Sequence, residues 1–159
     1  AYAIYLQKSK RKLPLLIADL KESVIDASLT KEGVSHIKPH LYYPGYIPNG
    51  DLPFVYTGAF AFLYTSLRES FGLPLLEAMA TGVPVISSNR SAIPEIAGDG
   101  ALLTDPTDPE MIAQTIVDLE NNPDLYDKQV EYGLNRSKRY SWEQTARKLL
   151  NEYLTLNSR

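Results

Sequence analysis

The 159-residue sequence contains no cysteine, one tryptophan, two methionines and two histidines. Without cysteine there is neither a disulfide framework nor a thiolate metal site, and a reducing, cytoplasmic setting is the default expectation. An excess of positive charge is also missing. Sixteen basic residues stand against nineteen acidic ones, net -3, which argues against a nucleic-acid surface built on a broad basic face; any bound phosphate needs local donors. Long apolar runs are absent: Gly58 to Tyr64, the longest, falls far short of the roughly 20 residues a membrane helix needs. The opening residues carry no signal-peptide pattern. Metal motifs are lacking too. There is no Asp-x-Asp triplet, and His36 and His40 flank a loop-to-strand passage without ligand spacing, so no metal or cofactor is expected.

What is present describes an ordinary globular domain, 44% hydrophobic and 22% charged. A chain of this length buries roughly two-thirds of its unfolded surface and needs no staple. No internal repeat, low-complexity tract or linker interrupts it, so residues 1–159 read as a single domain.

Short apolar runs at Leu15 to Ala18, Leu41 to Tyr43, Ala59 to Tyr64, Val83 to Ser87 and Ala101 to Leu103 read as buried strands. Helical patterns at Glu22 to Lys31, Leu52 to Thr57, Pro74 to Thr81 and Pro109 to Glu120 lie between and after them. Alternating strand and helix implies parallel strands with right-handed crossovers, hence a Rossmann-like open sheet flanked by helices. Gly82 stops one helix, Asn121-Asn122-Pro123 ends one and starts another, and Pro74, Pro109 and Pro123 suit first helical positions. The last helix opens on Ser141-Trp142-Glu143-Gln144, a capping box, and aligns Trp142, Thr145, Ala146, Leu149, Leu150, Tyr153 and Leu154 on a face expected to pack.

The informative stretch is Thr65 to Pro84. A strand ends near Tyr64, a tight loop follows through Glu69 to Gly72, and a helix starts with Pro74. Free amides then point out of the carboxyl edge of the sheet toward an anion site. Gly72 allows close backbone approach, and the positive end of the helix dipole favours a diphosphate. Glu69 in the loop and Glu77 one turn into the helix flank this site as acceptors for sugar hydroxyls. Each has an ordinary alternative, an exposed carboxylate; Gly72 equally serves a turn and Phe71 a core.

Glu69, Phe71, Gly72, Leu73, Pro74 and Glu77 resemble the signature of the large retaining glycosyltransferase family 4, in which two glutamates separated by seven residues bracket a Phe-Gly-Leu-Pro core. Tyr43-Pro44-Gly45-Tyr46-Ile47-Pro48, Thr81 to Val85, Pro94-Glu95-Ile96, Asp105-Pro106 and Tyr140-Ser141-Trp142 are similar to further family segments, so the likeness covers most of the chain. The resemblance implies a GT-B enzyme of two Rossmann-like domains that transfers a glycosyl group, of mannose or glucose type, from a nucleoside diphosphate sugar to an acceptor hydroxyl with retention. It implies that Glu69 and the amides of Ser70, Phe71, Gly72 and Leu73 hold the sugar and diphosphate, while Glu77 binds the ribose. Gly45 and Tyr46 sit beside the base, and Ser88 and Asn89 are further donor contacts; a solvated strand end for Ser88-Asn89 and a surface aromatic for Tyr46 are the plain alternatives. Arg68 is a candidate for leaving-group charge.

The beginning departs from the family. Ala1 to Lys12 reads as the family's first helix, which leaves its first strand without a counterpart and a central position of the sheet empty. In a rival alignment Tyr2 to Leu6 is that strand and Lys8 to Lys12 the basic loop. Lys8 to Lys12 has four cations in five positions, a solvated helix end in one reading and a membrane-surface contact in the other, so membrane association is peripheral at most. No residues remain for the family's N-terminal acceptor domain, so the chain is expected to be the C-terminal donor-binding half, inactive alone. A nucleotide-sugar epimerase of the same fold and a non-catalytic binding module are the competing readings. A guanosine diphosphate mannose donor and surface polysaccharide assembly are family-level expectations.

Overall fold

The computed structural model describes residues 1–157 and consists of parallel strands flanked by helices. Helix α1 (Tyr2–Lys8) leads to strand β1 (Leu15–Ala18), helix α2 (Glu22–Lys31), a 3-10 turn (Ser35–His40) and strand β2 (Leu41–Gly45). Helix α3 (Leu52–Gly58), strand β3 (Phe62–Tyr64), helix α4 (Leu73–Ala80), strand β4 (Val85–Ser88) and helix α5 (Ile93–Ala97) follow. After a short 3-10 turn come strand β5 (Ala101–Thr104) and helices α6 (Pro109–Asn121), α7 (Pro123–Ser137) and α8 (Trp142–Asn157).

Among the described residues all pairings are parallel, but they form two sheets, β1-β2 and β3-β4-β5, with no hydrogen-bonded ladder between them. This agrees with the alignment that leaves a central sheet position empty and rules out Tyr2 to Leu6 as a strand, since those residues are helical. Strand β4 is the centre of the larger sheet, and all four of its residues are buried. Its alternation sorts two cores. Val85 faces Leu75, Met79, Ile93 and Ala97 on the α4 and α5 side. Ile86 faces Tyr5, Ile112, Ile116 and Leu119 on the α1 and α6 side.

Helix ends follow the local chemistry. Asp108 accepts the Glu110 and Met111 amides at the start of α6, and Asn122 accepts the Leu125 amide at the start of α7. Ser141 accepts the Gln144 amide at 3.1 Å, one half of the expected capping box.

Four expectations need correction. Helix α1 stops at Lys8 instead of running to Lys12, because Ser9 turns extended and its hydroxyl binds the Lys12 amide and the Glu120 carboxylate. Strand β3 begins at Phe62, not Ala59: the Ala59 amide closes α3 on the Tyr56 carbonyl, and the Phe62 amide is the first to reach across, to the Pro84 carbonyl. Strand β4 runs Val85 to Ser88, because Pro84 has no amide to contribute to a ladder. The apolar face of α8 is exposed and not packed against the other described residues. Trp142 is 77% exposed, and Leu149, Leu150, Tyr153 and Leu154 are all more than half exposed. Helical periodicity specifies an apolar stripe, and says nothing of what lies opposite it. Helix α5 went unread because its five residues are too few for a periodic signal.

Candidate active site at the carboxyl edge of the sheet

Strand β3 ends at Tyr64, and the chain crosses the carboxyl edge through Thr65 to Gly72 before entering α4. Gly72 caps that helix at φ +92°, ψ +54°. A Cβ there would stand 2.9 Å from Ile93 Cδ1, so both the backbone angle and the close approach require glycine. Pro74 lies in the first turn, where its missing amide costs nothing. Among the described residues, the amides of Ser70, Phe71, Gly72 and Leu73 donate to no protein acceptor. With the start of α4 behind them they are free donors suited to an anion.

Glu69 is held from two sides. Its amide donates to Ser91 Oγ at 3.3 Å, and Ser91 Oγ donates back to the Glu69 carbonyl at 2.7 Å. Ser91 itself takes φ +58°, which turns the segment after β4 toward the loop. The Tyr64 hydroxyl donates to Glu69 Oε1 at 2.6 Å. Burial, and next the hydrogen bond and charge of Glu69, push that hydroxyl far above the ordinary tyrosine range, so it stays protonated as a donor.

Glu77 is exposed on α4 and lines a groove of about 680 Å³ between α3 and α4, together with Asn49, Leu52, Pro53, Tyr56, Leu73, Pro74, Ala80 and Thr81. The volume is that of a small-molecule site, apolar with a few polar groups. Tyr56 forms part of the wall; burial first, and then the charge of Glu77, raise its hydroxyl above the usual range.

Ser70 is exposed and Leu73 is 45% exposed on the same lip. Phe71 is 37% exposed and meets the Tyr140 ring edge-on at 5.7 Å, so it packs as well as bordering the loop. Ser88 is fully buried, and its hydroxyl accepts the Arg90 amide at 3.0 Å. Asn89 is exposed, with its amide bound to the Thr104 carbonyl. Gly45 (φ +76°) ends β2 and its carbonyl accepts the Asp19 amide, while Tyr46 is 70% exposed in the loop beyond. From that loop it is Asn49 that reaches the groove. Arg68 is exposed beside Glu69 in sequence. Among the described residues no group of three or more histidines or carboxylates is placed to hold a metal ion.

The sequence reading missed Tyr64, Ser91, Asn49 and Tyr56. Tyr64 carried a usable signal, a polar side chain at the end of a strand whose carboxyl edge bears the site, whereas Ser91 reaches Glu69 only through the pairing of β3 with β4. Asn49 and Tyr56 come to the groove only through the packing of α3 on α4.

The parallel α/β layers and a glycine-pinned loop at the strand ends define a GT-B type Rossmann-like unit. The chain belongs to the glycosyl transferases group 1 family, whose profile matches residues 1–136. It is 34% identical to O-antigen chain mannosyltransferase B of Escherichia coli over 98% of this chain and 41% of the relative. It is 35% identical to a D-inositol 3-phosphate glycosyltransferase of Corynebacterium urealyticum over 69% of this chain and 26% of the relative. The chain thus spans about two-fifths or less of these relatives. In three dimensions it is similar to sucrose-phosphate synthase from Thermosynechococcus elongatus (TM-score 0.77, 22% identity, 98% of this chain and 42% of that one). It is also similar to Anabaena HepE in complex with UDP (TM-score 0.78, 18% identity, 97% and 44%).

Proposed function

We propose that the chain is the donor-binding half of a retaining glycosyltransferase of family 4, taking a hexosyl group from a nucleoside diphosphate sugar. The observation that carries the reading is the placement of both glutamates around one row of free amides: Glu69 at the loop, Glu77 at the groove, and the Ser70 to Leu73 amides between them in sequence. In this reading the diphosphate lies on those amides, Glu77 accepts from the ribose hydroxyls, and Glu69 accepts from the transferred sugar. Gly45 and Tyr46 border the base, and Asn89 stands at the edge of the site just beyond β4, with Ser88 buried behind it. As the bond between anomeric carbon and diphosphate oxygen breaks, the preformed amides stabilise the charge gathering on that oxygen without reorganising. Arg68 adds long-range attraction. No metal ion is required in this scheme.

A mannose donor is favoured by the likeness to O-antigen chain mannosyltransferase B, and a growing surface polysaccharide is the acceptor class that the same relative suggests. The acceptor site belongs to a second domain, in keeping with relatives more than twice as long, and the isolated chain therefore binds donor without turning it over. No helix among the described residues is long and apolar enough to cross a membrane; the proposed setting is the cytoplasm, with at most peripheral contact at the inner membrane face. Adding a nucleoside diphosphate to isotope-labelled protein tests the placement. Amide resonances of residues 70–73 and of the groove are expected to shift together; shifts confined to the opposite edge of the sheet would contradict it.

A further inference from the structure

We propose that Tyr64 is a positioning residue for Glu69, fixing that carboxylate so that one oxygen is anchored to the protein and the other is presented to the donor sugar. The inference rests on the donor-site reading above and deepens it. Tyr64 is the last residue of β3, and it is immobilised at every level. Its carbonyl accepts Ser87 Oγ at 2.8 Å, its backbone is in register with Ser87, and its ring stacks on Phe62 at 5.8 Å with planes 19° apart. Tyr64 Cε1 also lies 3.6 Å from where a Cβ on Gly72 would be, so the ring backs the amide loop directly. From this frame the hydroxyl reaches Glu69 Oε1 at 2.6 Å, a short contact of the charge-assisted kind.

The geometry divides the labour within the carboxylate. Oε1 takes the tyrosine proton, whereas Oε2 has no protein partner among the described residues. Ser91 fixes the backbone of Glu69 through both its amide and its carbonyl, so backbone and carboxylate are restrained independently. A glutamate on an exposed loop otherwise samples many rotamers, and ordering it on binding draws on the affinity gained. Tyr64 removes that cost beforehand. Its effect therefore falls on the sugar, which Glu69 meets, and not on the diphosphate, which the amides meet.

Calorimetry on the 159-residue chain with GDP, UDP and ADP, and with GDP-mannose, UDP-glucose and ADP-glucose, separates the two. The quantity read is the affinity gained on adding the sugar to the diphosphate that binds. In Tyr64→Phe the diphosphate dissociation constant should stay within about twofold while the sugar increment falls by about five- to tenfold, the scale of ordering one rotamer-rich side chain. In a Glu69→Ala background the same Tyr64 substitution should change nothing further. Equal weakening of diphosphate and diphosphate sugar in Tyr64→Phe would overturn the proposal in favour of a purely structural hydroxyl. So would a lost increment in Glu69→Ala with an unchanged one in Tyr64→Phe, which leaves the donor-site reading standing. If Glu69→Ala itself leaves the increment intact, or no diphosphate binds saturably, the donor-site reading fails and this inference with it.

Discussion

Gly72→Ala is expected to destabilise the domain by about 2–5 kcal/mol and to abolish phosphate affinity at the same time. Two costs add. The residue sits at φ +92°, a region that costs an L-amino acid about 1–2 kcal/mol. The new methyl would stand 2.9 Å from Ile93 Cδ1. A side-chain end can often swing aside, but Ile93 is fully buried among Leu75, Met79 and Ile96, so relief requires overpacking a closed core at about 1–3 kcal/mol. The easier relaxation moves the loop instead, which turns the 70–73 amides away from a common anion. For a domain of this size the expected loss in melting temperature is roughly 4–20 °C. Gly50→Ala is the matched control: Gly50 has no positive φ, and an added Cβ there meets nothing within 4 Å, so its effect should be below about 0.5 kcal/mol. Urea denaturation of the three proteins reads the difference. A Gly72→Ala protein as stable as Gly50→Ala would refute the argument that this loop is glycine-dependent.

Met79→Ala should cost about 2–5 kcal/mol in urea denaturation, since Met79 is fully buried and fills the space against Gly100 and Gly133. Replacing Leu150 and Leu154 together by glutamine should alter stability by less than about 0.5 kcal/mol per site, because both are more than half exposed on α8; a larger loss would mean that the face packs after all. Glu120 predicts a pH signature. Burial opposes its ionisation, but hydrogen bonds from Ser9, Tyr5 and the Arg11 amide, with the Arg11 charge, outweigh that and hold it below the ordinary glutamate range. A depressed folded value stabilises above the unfolded value, near 4.5, and that contribution is lost as pH falls through the folded value. The stability gap between wild type and Glu120→Gln, about 1 kcal/mol after allowing for partial exposure, should be constant from about pH 5 to pH 7 and close below about pH 4. A gap unchanged at acid pH would remove the carboxylate from the account.

Much of the layer order could be read from the sequence because strand and helix speak in different periods. Leu15 to Ala18 and Glu22 to Lys31 fall where expected to the residue. Boundaries failed where a single hydrogen bond decides them, as at Ala59 and Ser9, since one bond leaves no periodic trace. The candidate site was legible in its signature loop, where Gly72, Pro74 and the paired glutamates each have a local reason to be what they are. The partners of those residues were not. Tyr64 lies five residues before Glu69, but Ser91 lies 22 residues after it, and only the parallel pairing of β3 with β4 makes them neighbours. The α8 face shows the converse: its pattern was read correctly as amphipathic, while its partner is not specified by the pattern.

The central claim is a nucleotide-sugar donor site framed by Glu69, the 70–73 amides and Glu77. Calorimetric titration of the chain with UDP, GDP and ADP, repeated on Glu77→Ala, tests it most directly. The account predicts saturable binding of one diphosphate, unchanged by chelator and weakened about tenfold or more in the variant, the worth of a hydrogen bond to a charged acceptor. Binding by none of the three at millimolar concentration, or binding indifferent to Glu77→Ala, would contradict it.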